Sequence, residues 1–152
     1  MADEHQFLGR GAHDPRAFLP ILERQTMAQL VNVSSSSGIV AAMGQTAYAA
    51  SQFALRGFSE SLCHELEDKG STIGVTIVLP GGVRTAIATS ARRPGVSPEE
   101  SEAQQKMHLL RLSPADAAER IVRGIENREK RVLVGSDVKQ TAVLQRLMPS
   151  GY

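Results

Sequence analysis

The chain has 152 residues, 41% of them hydrophobic and 22% charged, a composition that suits one globular domain. Its 17 Lys+Arg stand against 16 Asp+Glu, a formal net charge of +1, which excludes the bulk attraction that a nucleic-acid or anionic-membrane binder uses. A single cysteine, Cys63, excludes an internal disulfide and so a stapled secreted scaffold.

The start, Met1 to Gln6, is acidic and lacks the apolar stretch of a signal peptide. The uncharged run from Gln25 to Leu55 is broken by Asn32, by Ser34 to Ser37, by Gln45 and by glycines. It holds no membrane-spanning length of apolar residues. A soluble, cytoplasmic protein without a membrane or nucleic-acid partner is expected.

Three helix starts carry proline behind a capping residue: Asp14-Pro15, Ser97-Pro98 and Ser113-Pro114. Proline suits the first helical position, where its missing N–H has no partner to lose. Glu100 and Asp116, three residues after the second and third caps, add a favourable charge or a capping box. The spacing predicts helices from about 15, 98 and 114, the first bent at Pro20. Short β-branched runs predict strands at Leu30–Val33, Ile73–Leu79 and Arg131–Val134, each ending in turn chemistry. Between the first two, Leu55, Phe58, Leu62 and Leu66 recur at helical spacing and predict a long helix over 46–68. Strands separated by helices imply a parallel sheet covered on both faces. The polar stretch 86–112, behind a strand's carboxyl end, falls where such sheets place ligands.

Several motifs fail. Gly9-Arg10-Gly11 has no strand before it and no third glycine, so it reads as a loop. His5, His13, His64 and His108 are scattered without metal-ligand spacing, and no metal site is expected. Gly57-Phe58-Ser59-Glu60-Ser61 lacks the last glycine of a hydrolase elbow. Arg92-Arg93 and the basic residues of 128–131 read as solvated surface.

One constellation remains. Asn32-Val33-Ser34-Ser35-Ser36-Ser37-Gly38 follows the first strand, and Tyr48-Ala49-Ala50-Ser51-Gln52 opens the long helix. Ser35 falls just past a strand's carboxyl end and Tyr48 in the first turn of the next helix. A hydroxyl and a phenol brought together there can hold and protonate a carbonyl oxygen. On spacing alone, a polar strand-to-helix loop and an ordinary helix tyrosine account for the same residues.

These motifs resemble the short-chain dehydrogenase/reductases, whose pattern is Asn-x-Ser-Ser-x-x-Gly, Tyr-x-x-x-Lys and Pro-Gly-x-Val-x-Thr. Ser35 precedes Tyr48 by the family's 13 positions, and Pro80-Gly81-Gly82-Val83-Arg84-Thr85 fits the third motif throughout. The likeness runs over about 16–152, leaving 1–15 as an atypical N-terminal segment. It implies an α/β fold, a partial Rossmann-like parallel three-stranded sheet with flanking helices. It implies an NAD- or NADP-dependent oxidoreductase acting on a small carbonyl or alcohol. Tyr48 would be the general acid/base and Ser35 would hold the substrate oxygen. Pro80, Gly81, Val83 and Thr85 would bind the cofactor, with Val83 and Thr85 on the nicotinamide amide. The 46–68 helix would carry self-association.

Two departures follow. Gln52 stands at the family's lysine position. That lysine bonds the nicotinamide ribose and lowers the tyrosine's pKa by its charge; glutamine can imitate the first but has no charge for the second. The family's Thr-Gly-x-x-x-Gly-x-Gly turn, where backbone meets pyrophosphate at a helix N-terminus, has no counterpart in residues 1–16. An impaired oxidoreductase is therefore expected, the alternative being a non-catalytic remnant or dimerisation partner that binds no cofactor. Cutting the sheet there would also leave Leu30, Val31 and Val33 on an open edge, which favours self-association or marginal stability.

Overall fold

The β-branched runs form strands because each finds a parallel partner. The computed structural model describes residues 15–85 and 112–150. In chain order it contains α1 (Pro15–Leu22), β1 (Ala28–Val33), a 3-10 turn (Ser36–Gly38), α2 (Thr46–Asp68), β2 (Ile73–Pro80), α3 (Pro114–Glu126), β3 (Arg131–Val134) and α4 (Ser136–Leu147). The three strands make one parallel sheet in the order β1-β2-β3, with Val33 opposite Val78 and Pro80 opposite Val134. The fold class is α/β as the sequence implies. Asp14, the Gly9-Arg10-Gly11 loop, the helix expected near 98 and the stretch 86–111 lie outside the described residues.

Alternation along the strands assigns the helices to faces, because successive strand side chains point to opposite sides. Ala28, Ile73 and Val75 pack with Leu62, Cys63 and Leu66 of α2 and with Leu19 and Leu22 of α1. Ile77 and Leu79 continue that face against Ile39 and against Val138 of α4. The opposite face is covered by α3, where Ala117 meets Val78, Val132 and Val134. β2, at the centre, is buried almost throughout. Buried Cys63 has its thiol pushed up by desolvation and by the nearby Glu67 charge, so it behaves as a small core hydrophobe.

Local details refine the sequence reading. β1 begins at Ala28, two residues before the expected Leu30, because Ala28 and Gln29 pair with Ile73 and Gly74. Among the described residues β1 pairs with β2 alone and so leaves an open edge, as expected; on it Leu30 and Val31 are half-buried against the two cores and Val33 is exposed, at 57%. The Ser113 cap forms: its Oγ accepts the Asp116 N–H at 3.1 Å and donates to Asp116 Oδ2 at 2.6 Å. The acid therefore answers the capping hydroxyl, a variation on the expected capping box. Asn32, also on the α2 face, donates to the buried Ser59 Oγ at 2.9 Å, and the Ser59 hydroxyl donates in turn to Leu55 O at 2.7 Å. This satisfied polar chain ties β1 to the middle of α2.

Candidate functional site

In a parallel sheet all carboxyl ends lie along one rim. Ser35 lies two residues beyond Val33 and Pro80 two beyond Val78, so the β1–β2 register sets them at the same level. Ser34 N–H extends the ladder one step by donating to Val78 O at 2.8 Å. The chain then turns at once. Ser35 stays extended (φ -154, ψ 167) and caps the 3-10 turn by accepting the Ser37 N–H on its Oγ at 3.2 Å. That bond uses a lone pair and leaves the Ser35 O–H as a donor.

The serine loop is clamped to α2 at three points. Ser37 Oγ donates to Gln45 Oε1 at 3.3 Å, Ser34 Oγ donates to Gln52 O at 3.0 Å, and Arg56 Nη1 donates to Gly38 O at 3.0 Å. Positions 45, 48, 52 and 56 succeed one another at three- and four-residue steps, hence on one helix face. Tyr48 thus belongs to the face along which the loop is laid. Gly38 is required by this closeness: a Cβ there would lie 2.8 Å from Ser34 Oγ and 2.9 Å from Gln52 O.

Tyr48, in the first turn of α2, is half exposed, and its hydroxyl has no partner among the described residues. Gln52 is half-buried and its Nε2 reaches Ser51 Oγ at 3.4 Å, a weak bond. Among the described residues, Ser35, Tyr48 and Gln52 are not hydrogen-bonded to one another through their side chains.

The third motif occupies the same rim. Gly81 N–H donates to Val134 O at 2.9 Å, which ties the end of β2 to β3. Val83 pairs in parallel with Leu112 through Arg84 N–H to Leu112 O at 3.1 Å and Leu112 N–H to Gly82 O at 3.4 Å. Such a bridge uses the residues flanking Val83, so Val83 N–H and C=O have no partner among the described residues. Thr85 is exposed. No cluster of three or more metal-ligating side chains occurs among the described residues.

Arg56 was missed as part of this arrangement, although its spacing to Glu60 was readable. Its Nε bonds Glu60 Oε1 at 3.0 Å, and Arg131 at the start of β3 also donates to that oxygen. Partial burial pushes the Glu60 carboxyl up, but the Arg56 and Arg131 hydrogen bonds and charges outweigh it and hold the carboxyl below its ordinary value of 4.5. A carboxylate lowered on folding stabilises the fold above its unfolded pKa and loses that contribution as pH falls through the folded value. The urea midpoint is therefore expected to fall more between pH 6 and pH 3 in the natural chain than in Glu60→Gln. Because the pair is partly exposed and screened by solvent, the difference should be at most about 1 kcal/mol.

Ser35 follows β1, Pro80-Gly81 closes β2 and Tyr48 opens α2, all within an α/β fold built on a parallel sheet. The short chain dehydrogenase profile matches residues 13–94, and the chain belongs to that family. It is similar to SadH of Mycobacterium tuberculosis, at 39% identity over 138 residues, covering 90% of this chain and 50% of that protein. It is similar to oxidoreductase BOA17 of Botryotinia fuckeliana, at 33% identity, covering 84% of this chain and 50% of that one. Among solved structures, a short chain dehydrogenase/reductase from Burkholderia phymatum in complex with NAD superposes with a TM-score of 0.76 at 25% identity. That match covers 91% of this chain and 54% of the other. The chain spans about half the length of the curated relatives it matches. Among the described residues, no helix is long and apolar enough to cross a membrane.

Proposed function

We propose that this chain carries the proton-transfer half of an NAD(P)-dependent oxidoreductase site for a carbonyl or secondary alcohol, weakened by glutamine at position 52. The clamping of the serine loop along the Tyr48 face of α2 is the observation that carries the reading. Tyr48 donates a proton to the carbonyl oxygen during reduction and takes it back during oxidation. The Ser35 O–H, with its oxygen oriented by Ser37 N–H, donates to the same oxygen and holds the substrate.

The residues fit the nicotinamide end of the cofactor. The N–H and C=O of Val83, without a partner among the described residues, match the acceptor and donor of a carboxamide, and Thr85 is exposed. Pro80 and Gly81 shape the turn that presents Val83. When bound, the nicotinamide supplies or accepts the hydride. Gln52 offers an amide for the ribose and no positive charge for the phenol, which slows the oxidation direction most. A cytoplasmic setting, with a small molecule as substrate, accords with a buried lone cysteine. Self-association through α2 belongs to the same proposal, supported by Phe53, which is 40% exposed on that helix.

The competing reading is a remnant that no longer binds cofactor and acts as a dimerisation partner; the uncharged side chain of Gln52 favours it. Fluorescence titration of NADH and NADPH separates the two. Micromolar binding of either is the expected result for the oxidoreductase reading, and no binding at millimolar dinucleotide leaves the remnant. Sedimentation of Phe53→Glu against the natural chain tests the α2 contact separately, with loss of the larger species expected.

A further inference from the structure

One carboxylate sits where two glycine positions close around it. Asp137, in the first turn of α4, accepts the Gly82 N–H on Oδ2 at 2.7 Å. A Cβ at Gly81 would collide with both Asp137 carboxylate oxygens, and one at Gly135 would collide with Oδ1. Gly135 also has φ 112, a conformation that L side chains rarely adopt. A side chain at 81 would have to displace this carboxylate, and one at 135 would crowd its Oδ1. The bond is not needed to close the sheet, because Gly81 N–H to Val134 O already continues the ladder. Nor does Asp137 fill a core, since it is exposed. What it holds is the Gly81–Gly82 peptide, while the next peptide, Gly82–Val83, is tied by Leu112 N–H to Gly82 O.

We propose that Asp137 is a positioning residue that fixes the Gly81–Gly82 peptide, leading into Val83, so that Val83 can present its N–H and C=O to a nicotinamide carboxamide. The inference rests on the reading of Val83 given above. A charged acceptor suits the task, because a hydrogen bond to a carboxylate is roughly twice as strong as a neutral one. The N-terminal end of α4 favours negative charge at the same place. Asp137 acts through Gly82 and is given no contact with substrate.

The test compares the full chain with Asp137→Ala, Asp137→Asn and Gly81→Ala by two readouts. Amide hydrogen exchange at Gly82, read by NMR against Val78 inside β2, is expected to quicken about tenfold or more in Asp137→Ala, with Val78 unchanged. The NADH dissociation constant, read by fluorescence, is expected to weaken by a similar factor. Asp137→Asn keeps an acceptor oxygen and should recover most of both. Gly81→Ala keeps the aspartate but displaces it, and should reproduce both losses. Unchanged Gly82 exchange in Asp137→Ala overturns the proposal by itself. So does faster exchange with undiminished NADH affinity. A natural chain that binds neither dinucleotide overturns the reading of Val83, and the role of Asp137 falls with it while its bond to Gly82 is still confirmed or denied by exchange.

Discussion

Replacement of Gln52 by lysine is expected to raise carbonyl reduction about a hundredfold, the lower end of what positioned proton transfer contributes. Gln52 lies one turn beyond Tyr48 on the face that carries the serine loop, half-buried, and among the described residues its side chain is held by a 3.4 Å contact with Ser51 alone. The next cation along that face, Arg56, is committed to Gly38 O and Glu60. A lysine at 52 would bring an uncommitted charge beside the phenol without displacing a strong bond. Its like-charge contact with Arg56 one turn on costs a few tenths of a kcal/mol, and Glu60 offsets part of that. Initial rates of NADH oxidation with a small ketone measure the effect. Tyr48→Phe added to Gln52→Lys should return the rate to background. A rate unmoved by the lysine would argue for the remnant.

Leu79→Ala should destabilise the fold by about 2–5 kcal/mol, the range for deleting a fully buried leucine. Leu79 has no exposed surface and packs against Ile39, Ile77 and Val138, with Leu133 at the margin. It is the last core residue of β2 before the Pro80 turn, so the cavity would also loosen the rim that holds Gly81 and Val83. Small domains are stable by only about 5–15 kcal/mol in total, and a three-stranded sheet is expected near the lower limit. Urea denaturation followed by circular dichroism should show a large fall in midpoint. By comparison Val122→Ala, on the exposed side of α3, should change stability by no more than about 0.5 kcal/mol. Equal effects from the two would mean that Leu79 is not the core anchor its burial indicates.

Much of this architecture was legible because its causes are local. The β-branched runs marked β2 and β3 almost to the residue, the leucine spacing marked α2, and Ser113-Pro114 marked the start of α3. The three motifs of the candidate site were legible for the same reason: each is a short stretch whose residue types carry their chemistry with them. The first two residues of β1 were not, because Ala28 and Gln29 have little strand preference and are extended by pairing with Ile73 and Gly74.

The division of labour within Ser34 to Ser37 was equally hidden. Adjacent serines look alike in sequence, yet Ser34 bonds α2, Ser35 caps a turn and Ser37 meets Gln45. Asp137 and Gly82 stand 55 positions apart and meet only because β2 and β3 are parallel neighbours. The sequence by itself determined the elements, their order, the core-facing stripe of α2 and the residue types gathered at the rim. Tertiary structure alone decided which serine faces which helix carbonyl, and which carboxylate holds the Pro-Gly turn. The physical reason is range: capping, periodicity and strand preference act between near neighbours in the chain, whereas hydrogen-bond partners are chosen by strand register and by which helix lies over which face.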